Sequence, residues 1–432
     1  MTTFFDQKTE TLPREQLEQL QLQKMQAILA EIYGKNRFYT RKLQGADFEP
    51  GDLTTLDDLL DLPLTSKDEL VEDQADDGFA ANLTYPLAAY TRFHQTSGTT
   101  GQPLRVFDTA ESWDWWGRCW GHVFAGAGVT AEDRIFCAFS FGPFIGFWAA
   151  VEGARHIGAL LVPGGGRSSL DRLHLMQETG CTVLCSTPTY ALHLLEVARE
   201  NNFDVSGLKI RTTIHAGEPG ANVPATKQRI EAGWGARCFD HAGASEIGAH
   251  SFEGEDRRNG LYVIESEFIA EILDPNSGRP AQPGEKGELV LTNLGRWGFP
   301  VLRYQTGDIV VAAKDQTAGE RTFLYLEGGV IGRADDMVTV RGVNVFPSGI
   351  ENCIREHPAV DEFRVTVDKR DIMDQITIEV ELMEGAEATA TTALIAQSIT
   401  SNLGLRPTVV AVARNTLPRF ELKARRFRVI KA

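Results

Sequence analysis

Between residues 91 and about 330 the chain alternates short apolar runs with segments of helical period, and this constrains the fold more than any other feature. RIFCAFS precedes a helix entered at Ile145, TVLCS precedes YALHLLEVAREN, KIRTTIHAGEPG precedes ATKQRIEAG, and GARCFDHAG closes the series. Strands that alternate with helices build a mainly parallel sheet, because each crossover has room for a helix and each helix buries one strand face. From 261 to 313 the pattern changes. LYVI, FIAEIL, GELVLTNL and DIVVAA follow one another with turn sequences such as DPNSG between them, which predicts antiparallel hairpins.

The flanks differ from this middle. Residues 13–43 carry Leu17, Leu20, Met25, Ile28, Leu29 and Ile32 at helical spacing, and residues 52–82 are acidic and short-patterned around Pro63. The last hundred residues read as an independent α+β unit. GVNVFPSGIENCIREH is a strand, turn and helix, FRVTVDKR with DQITIEVEL is a hairpin, ATATTALIAQSITSNLG is a helix and PTVVAVA a strand. The expected fold is therefore α/β, with a large N-terminal domain of mixed sheets over 1–332, a small C-terminal α+β domain over 336–432, and a joint at 333–336. The small unit's 13 basic and 13 acidic residues cancel, so the net charge of −16 belongs to the rest of the chain. Such an acidic surface argues against nucleic acid or a membrane as partner. The strongly apolar, uncharged run 135–151 contains Gly142, Pro143 and Gly146 and falls short of a ~20-residue span. The six cysteines form no CxxC pair and read as buried core thiols. With no signal-peptide pattern at MTTFFDQKTE, the expected location is cytoplasmic, as a monomer or homodimer.

Five segments could carry chemistry. Thr96-Ser97-Gly98-Thr99-Thr100-Gly101 follows the strand-like YTRFHQ. Its glycines let backbone N–H groups converge and its hydroxyls add donors, which suits a polyphosphate; a plain polar turn has the same composition. Gly332-Arg333-Ala334-Asp335-Asp336, followed by Arg341-Gly342-Val343-Asn344, is either a solvated joint or a ligand site. Glu246, after Ala244-Ser245, is a metal carboxylate or a surface residue. Asp308 in RYQTGD is a ribose ligand or a turn residue. Lys423 lies in the basic tail LPRFELKARRFRVIKA, an anion patch or a solvated face.

In this order the segments TSGTTGQP, HAGEPG, GASEIG, RYQTGD, GRADDMVTVRGVNVFPSGIE and LPRFELKARRF resemble the acyl-adenylate-forming ligase superfamily, and within it the phenylacetate–CoA ligase group. The resemblance covers nearly the whole chain. It implies ATP-dependent conversion of a carboxylic acid to acyl-AMP, then transfer to the thiol of CoA, with Mg²⁺ as cofactor. Transfer to a carrier-protein thiol and a non-catalytic nucleotide sensor on the same fold are the alternatives. It implies that Thr96 to Gly101 hold the β/γ-phosphates and that Gly217-Glu218-Pro219 cradle adenine. Asp240, His241 and Ser245 would line the nucleotide, Glu246 would hold Mg²⁺, and Asp308 with Arg333 would take the ribose. Lys423 would reach the carboxylate and α-phosphate. The small domain would be mobile about Asp335, bringing Arg341, Gly342 and Asn344 to the thiol tunnel.

The acid pocket is implied at Phe141, Gly142, Ala242 and Gly243. Phe139, Phe147 and Trp148 in the same aromatic run, and Trp113, Trp116 and Trp120 on one helix face, are expected in the core. The chain departs from the group's pattern in three segments: Gln102 stands in place of a lysine, Ala242 in place of an aromatic, and RYQTGD in place of RYRTRD. The space at Ala242 predicts an aromatic acid bulkier than phenylacetate, with His241 either a structural histidine or a partner for a ring substituent.

Overall fold

The computed structural model describes every residue except 1, 97–101, 147, 276, 335, 341–342, 371–373, 421–425 and 431–432; for 339, 343 and 344 it describes the backbone alone. Eight strands form the central sheet, edge to edge Leu160–Pro163, Arg134–Cys137, Val183–Ser186, Thr212–His215, Arg237–Ala244, Gly248–Gly254, Arg257–Val263 and Tyr325–Glu327. The first five are parallel and the remainder antiparallel. Helices Trp148–Ile157, Ser169–Thr179, Pro188–Glu200 and Pro224–Trp234 make the crossovers, as the alternating pattern requires. The connection after Arg134–Cys137 runs to one edge, while the one after Val183–Ser186 runs the opposite way. A crevice therefore opens beyond the carboxyl ends of these neighbouring strands.

The hairpins expected between 261 and 313 form a second, antiparallel sheet in the order Phe268–Leu273, Lys286–Asn293, Tyr304–Val311 and Gly332–Arg333. A separate hairpin pairs Tyr90–Gln95 with Arg105–Thr109. Beyond residue 337 come the two-stranded Val338–Val340/Val343–Val345 ribbon, helix Pro347–Arg355 and helix Ala388–Leu403. A four-stranded sheet follows the order Thr408–Val412, Gln375–Leu382, Val360–Asp368, Phe427–Ile430. This unit encloses its own cluster of buried side chains, from Val340 to Leu405.

Helix Ala110–Gly126 differs from the one-faced helix expected. Trp113, Trp116 and Trp120 are buried, but so is Trp115 on another face. The helix is enclosed because glycines let its neighbours close on it: a Cβ at Gly153 would lie 2.4 Å from Trp120 Cβ. All six cysteines are buried free thiols, as their spacing suggested. Among the described residues no helix is long and apolar enough to cross a membrane.

The first residues are tied to the large domain by a buried ion network. Glu10 accepts from Phe5 N at 2.8 Å and Asp6 N at 2.9 Å, and lies 3.1 Å from His122 Nδ1. Arg321, with no exposure, donates to Glu10 at 2.7 Å and to the Thr3 carbonyl at 2.6 Å, and pairs with Asp256. Burial raises the Glu10 pKa, but the His122 and Arg321 contacts outweigh it and hold the group below its ordinary 4.5. Such a carboxylate stabilises the fold above that value and loses its contribution as pH falls through the depressed one. Glu10→Gln is expected to lower stability at neutral pH by about 3 kcal/mol, with the gap to the parent closing on acidification. Urea unfolding across pH checks this; a gap independent of pH contradicts it.

Candidate active site

The crevice edge is built by one long strand. The first half of Arg237–Ala244 pairs in parallel with Thr212–His215, and its second half pairs antiparallel with Gly248–Gly254. The change of partner falls between Asp240 and His241. Asp240 is half-buried and donates its N–H to Glu253 at 2.9 Å. Burial, with Glu253 beside it, pushes the Asp240 carboxyl up to about 7, so near neutrality it exists in both protonation states. Glu253 itself is answered by Lys227, by Arg258 at 2.8 Å and by Asn259 N at 2.8 Å.

His241 Nδ1 lies 2.7 Å from the Ser251 carbonyl. A carbonyl only accepts, so Nδ1 carries the proton and Nε2 is left as an acceptor. Burial lowers the ring's pKa to about 4, which keeps it neutral. A bulge follows between Ala242 and Gly243. Nε2 lies on the Gly243 side of the strand, 3.5 Å from where a Cβ there would sit.

The segment after Thr212–His215 turns at Gly217, whose φ of 94° is in the left-handed region. Glu218 accepts the Thr189 N–H at 2.9 Å, at the start of helix Pro188–Glu200. Asn222 donates to the Val330 carbonyl at 2.5 Å, and a Cβ on Gly329 would lie 3.6 Å from Asp240 Oδ2. The chain then enters Gly332–Arg333, where Arg333 pairs in register with Asp308 and donates to it at 3.2 Å. Gly217–Pro219, Asp240, Asp308 and Arg333 are thus joined through one connecting segment.

Glu246 is 7% exposed. The Tyr304 hydroxyl donates to its Oε1 at 2.9 Å, and Lys67 Nζ lies 3.6 Å from the same atom. Burial and the Glu246 charge push the Tyr304 phenol well above its usual range, so it stays a donor. Lys67 gets there because Thr65 pairs with Tyr304: Thr65 N donates to Arg303 O and Gln305 N to Thr65 O, both at 2.9 Å. Neither Lys67 nor Tyr304 was singled out by sequence. In the structure a Ser66–Glu69 capping box starts the helix at Lys67, and nothing in the local sequence marks its partner.

Ser245 is positioned by another residue that sequence reasoning missed. Arg296, fully buried, donates to both oxygens of Asp108 at 2.7 and 2.8 Å and to the Ser245 carbonyl at 2.8 Å. Asp108 lies on the hairpin that carries the hydroxyl- and glycine-rich loop. At the loop's start Thr96 is buried and closes the hairpin: its N–H donates to Leu104 O at 2.9 Å, and its hydroxyl accepts from Leu104 N at 3.0 Å. The hydroxyl accepts in this contact, and its own proton is left to donate. Ser97, Gly98, Thr99, Thr100, Gly101, Asp335, Arg341, Gly342 and Lys423 lie outside the described residues, and Asn344 is described in backbone only.

Past Arg134–Cys137, Phe141 packs edge-on to Trp148 at 4.5 Å and against Phe139 at 5.4 Å. Trp148 is not a core residue as expected: it is 37% exposed and donates to the Gly142 carbonyl at 3.0 Å. Gln95 N donates to Pro143 O at 2.8 Å, which joins this aromatic turn to the hairpin. Phe139, Phe141, Ala216, Ala242 and Ala244 pack, partly buried, against one core.

The AMP-binding enzyme family matches residues 89–295, and the AMP-binding enzyme C-terminal domain matches 342–429. The phenylacetate-coenzyme A ligase of Escherichia coli (strain K12) is 31% identical over 425 residues, covering 96% of this chain and 95% of the relative. A 2-hydroxyisobutyryl-CoA ligase in the postadenylation state with 2-HIB-AMP superposes with a TM-score of 0.92 at 28% identity, over 98% of this chain and 91% of that one. The same enzyme with CoA in the thioesterification state gives 0.74, over 98% and 92%.

Arg296→Met leaves Asp108 buried and unpaired and should cost about 3–5 kcal/mol of stability. Adding Asp108→Leu should restore part of that loss. Urea unfolding checks both variants, and a single variant as stable as the parent contradicts the role.

Proposed function

The chain belongs to the AMP-binding enzyme family and is an AMP-forming acid–CoA ligase, and from that premise we propose that its acid is aromatic and larger than phenylacetate, and that the segments above carry the two half-reactions. The overall reaction turns a carboxylic acid and ATP into acyl-AMP and pyrophosphate, then forms a CoA thioester and releases AMP. Its relatives are catalysts that use CoA, which sets aside the sensor and the carrier-protein readings.

The first step brings together two anions, so cations and fixed donors must meet the charge as it develops. Lys423 supplies one cation from the small domain, to the carboxylate and α-phosphate. Lys67, beside Glu246, supplies another from the N-terminal segment. The backbone of 97–101 holds the β/γ-phosphates. Gly217–Pro219 cradle the adenine, with Asp240 at its edge, and Asp308 accepts from the ribose hydroxyls while Arg333 orients it.

Mg²⁺ fits Glu246. Among the described residues no three His, Cys, Asp or Glu are grouped to hold a metal, and Mg²⁺ characteristically takes one or two carboxylates with substrate phosphates and water. When bound it supplies Lewis-acid neutralisation of phosphate oxygens. Tyr304 fixes the Glu246 carboxylate through Oε1. For the second step the 336–432 unit turns about Asp335, and Arg341, Gly342 and Asn344 line the thiol's approach.

One observation carries the choice of acid. The aromatic turn at Phe141 and Trp148 accompanies only a methyl group at Ala242, where the group's pattern has an aromatic ring. A substituted or bicyclic ring fills that space, while His241, whose Nε2 faces the Gly243 side and whose ring packs on Trp120 at 4.7 Å, serves the fold. Acid-dependent ATP–pyrophosphate exchange over aromatic, arylacetic and short hydroxy acids tests this. Substituted or bicyclic aromatic acids are expected to lead, and Ala242→Tyr to shift preference toward smaller acids. A lead by short hydroxy acids, or an unchanged ranking in Ala242→Tyr, contradicts it.

A further inference from the structure

The basic tail contains a second residue whose contacts bear on the first half-reaction. Arg426 is nearly buried and grips Glu362 of its own unit, with Nη2 to Oε2 at 2.9 Å. Its carbonyl accepts Val365 N at 2.7 Å, so its backbone is also fixed. Its remaining donor, Nη1, crosses to the large domain and meets the Thr189 hydroxyl at 3.0 Å. Thr189 in turn gives its N–H to Glu218 at 2.9 Å, between Gly217 and Pro219 of the proposed adenine cradle.

Resting on the functional reading above, we propose that Arg426 is a positioning residue: through Thr189 and Glu218 it fastens the small domain to the adenine segment in the acid-activating orientation and so places Lys423. Only Ala424 and Arg425 stand between Lys423 and Arg426 in the chain, and three residue steps keep their Cα atoms within about 11 Å of each other. The bridge has supporting contacts along the same seam. Arg229 donates to the Val360 carbonyl at 2.9 Å, Arg419 lies 3.5 Å from Glu196, and Arg199 lies 3.8 Å from Asp361. These groups belong to opposite units, so a large rotation of the small domain separates them. The orientation that makes these contacts is the one shared with the postadenylation complex, at a TM-score of 0.92 against 0.74 for the thioesterification state.

The test compares Thr189→Val, Arg426→Met and Arg426→Lys with the parent in two assays: acid-dependent ATP–pyrophosphate exchange, and thioester formation from supplied acyl-AMP and CoA. Thr189→Val and Arg426→Met are each expected to slow exchange about tenfold, the ordinary size of a coupling between sites. The loss should fall on kcat, with KM for ATP little changed and the thioester step kept. The double variant should be no slower than either single one, because both remove the same bond. Arg426→Lys, which keeps the charge but loses the fork, should recover only part. Equal losses in both half-reactions, or additive losses in exchange, overturn the proposal.

A distance readout stands apart from activity. Spin labels on cysteines introduced at the exposed positions Ser206 and Ala390 report the domain orientation with ATP bound. Thr189→Val, a near-isosteric change that spares the fold, should broaden that distance. An unchanged distance overturns the proposal. If the parent activates no acid, the functional reading fails while the label distances still decide this one.

Discussion

Arg296 has no contact with solvent, so the protein alone must answer all of its charge. Asp108 takes two of its donors and the Ser245 carbonyl a third. Trp116 and Phe299 place their rings 5.2 and 5.0 Å from the guanidinium carbon. A planar fork so enclosed has little angular freedom. Three distant stretches of chain are thereby fixed at one point: the hairpin of the hydroxyl-rich loop, the turn leading to Glu246, and the turn after Lys286–Asn293. The phosphate side and the carboxylate side of the site cannot drift apart without stripping a buried ion of its partner.

Around that fixed point the problem is electrostatic. A chain of net charge −16 must bring a carboxylate against a triphosphate. The large domain contributes Lys67 beside Glu246 and Arg333 beside Asp308. The charge-balanced small unit brings its own basic tail, and arginines and carboxylates from both units interleave along the seam. The cross-domain ion pairs are long, at 3.5 and 3.8 Å, so the seam can hold one orientation and still release it. Glu362 illustrates the arrangement: burial raises its pKa, yet Arg426 and Arg355 keep it below its ordinary value.

The parallel core was legible in the sequence because the inner strands Arg134–Cys137, Val183–Ser186 and Thr212–His215 are runs of mostly buried residues, each followed by a helix. The antiparallel sheet was legible from its turn chemistry. Local sequence failed wherever the partner is remote. Lys67 and Glu246 lie far apart in the chain and meet only because Thr65 pairs beside Tyr304. Arg296 reads as a surface charge in LGRWG, and Arg426 as one basic residue among several. The aromatic run at 139–148 misled for another reason. Hydrophobicity predicted burial for Trp148, but its indole N–H is spent on the Gly142 carbonyl at an open turn. Thr96 also closes the hairpin, a role its motif does not reveal, because a hydroxyl next to a strand end can accept from the backbone.

The central claim is that the acid's own oxygen attacks the α-phosphorus of ATP before any thiol is involved. It can be followed by isotope. The preferred acid, labelled with ¹⁸O in its carboxylate, is turned over with ATP and CoA, and the AMP and pyrophosphate are weighed by mass spectrometry. An acyl-AMP route leaves one labelled oxygen in AMP and none in pyrophosphate. Label in pyrophosphate or inorganic phosphate, or unlabelled AMP at full conversion, would contradict it.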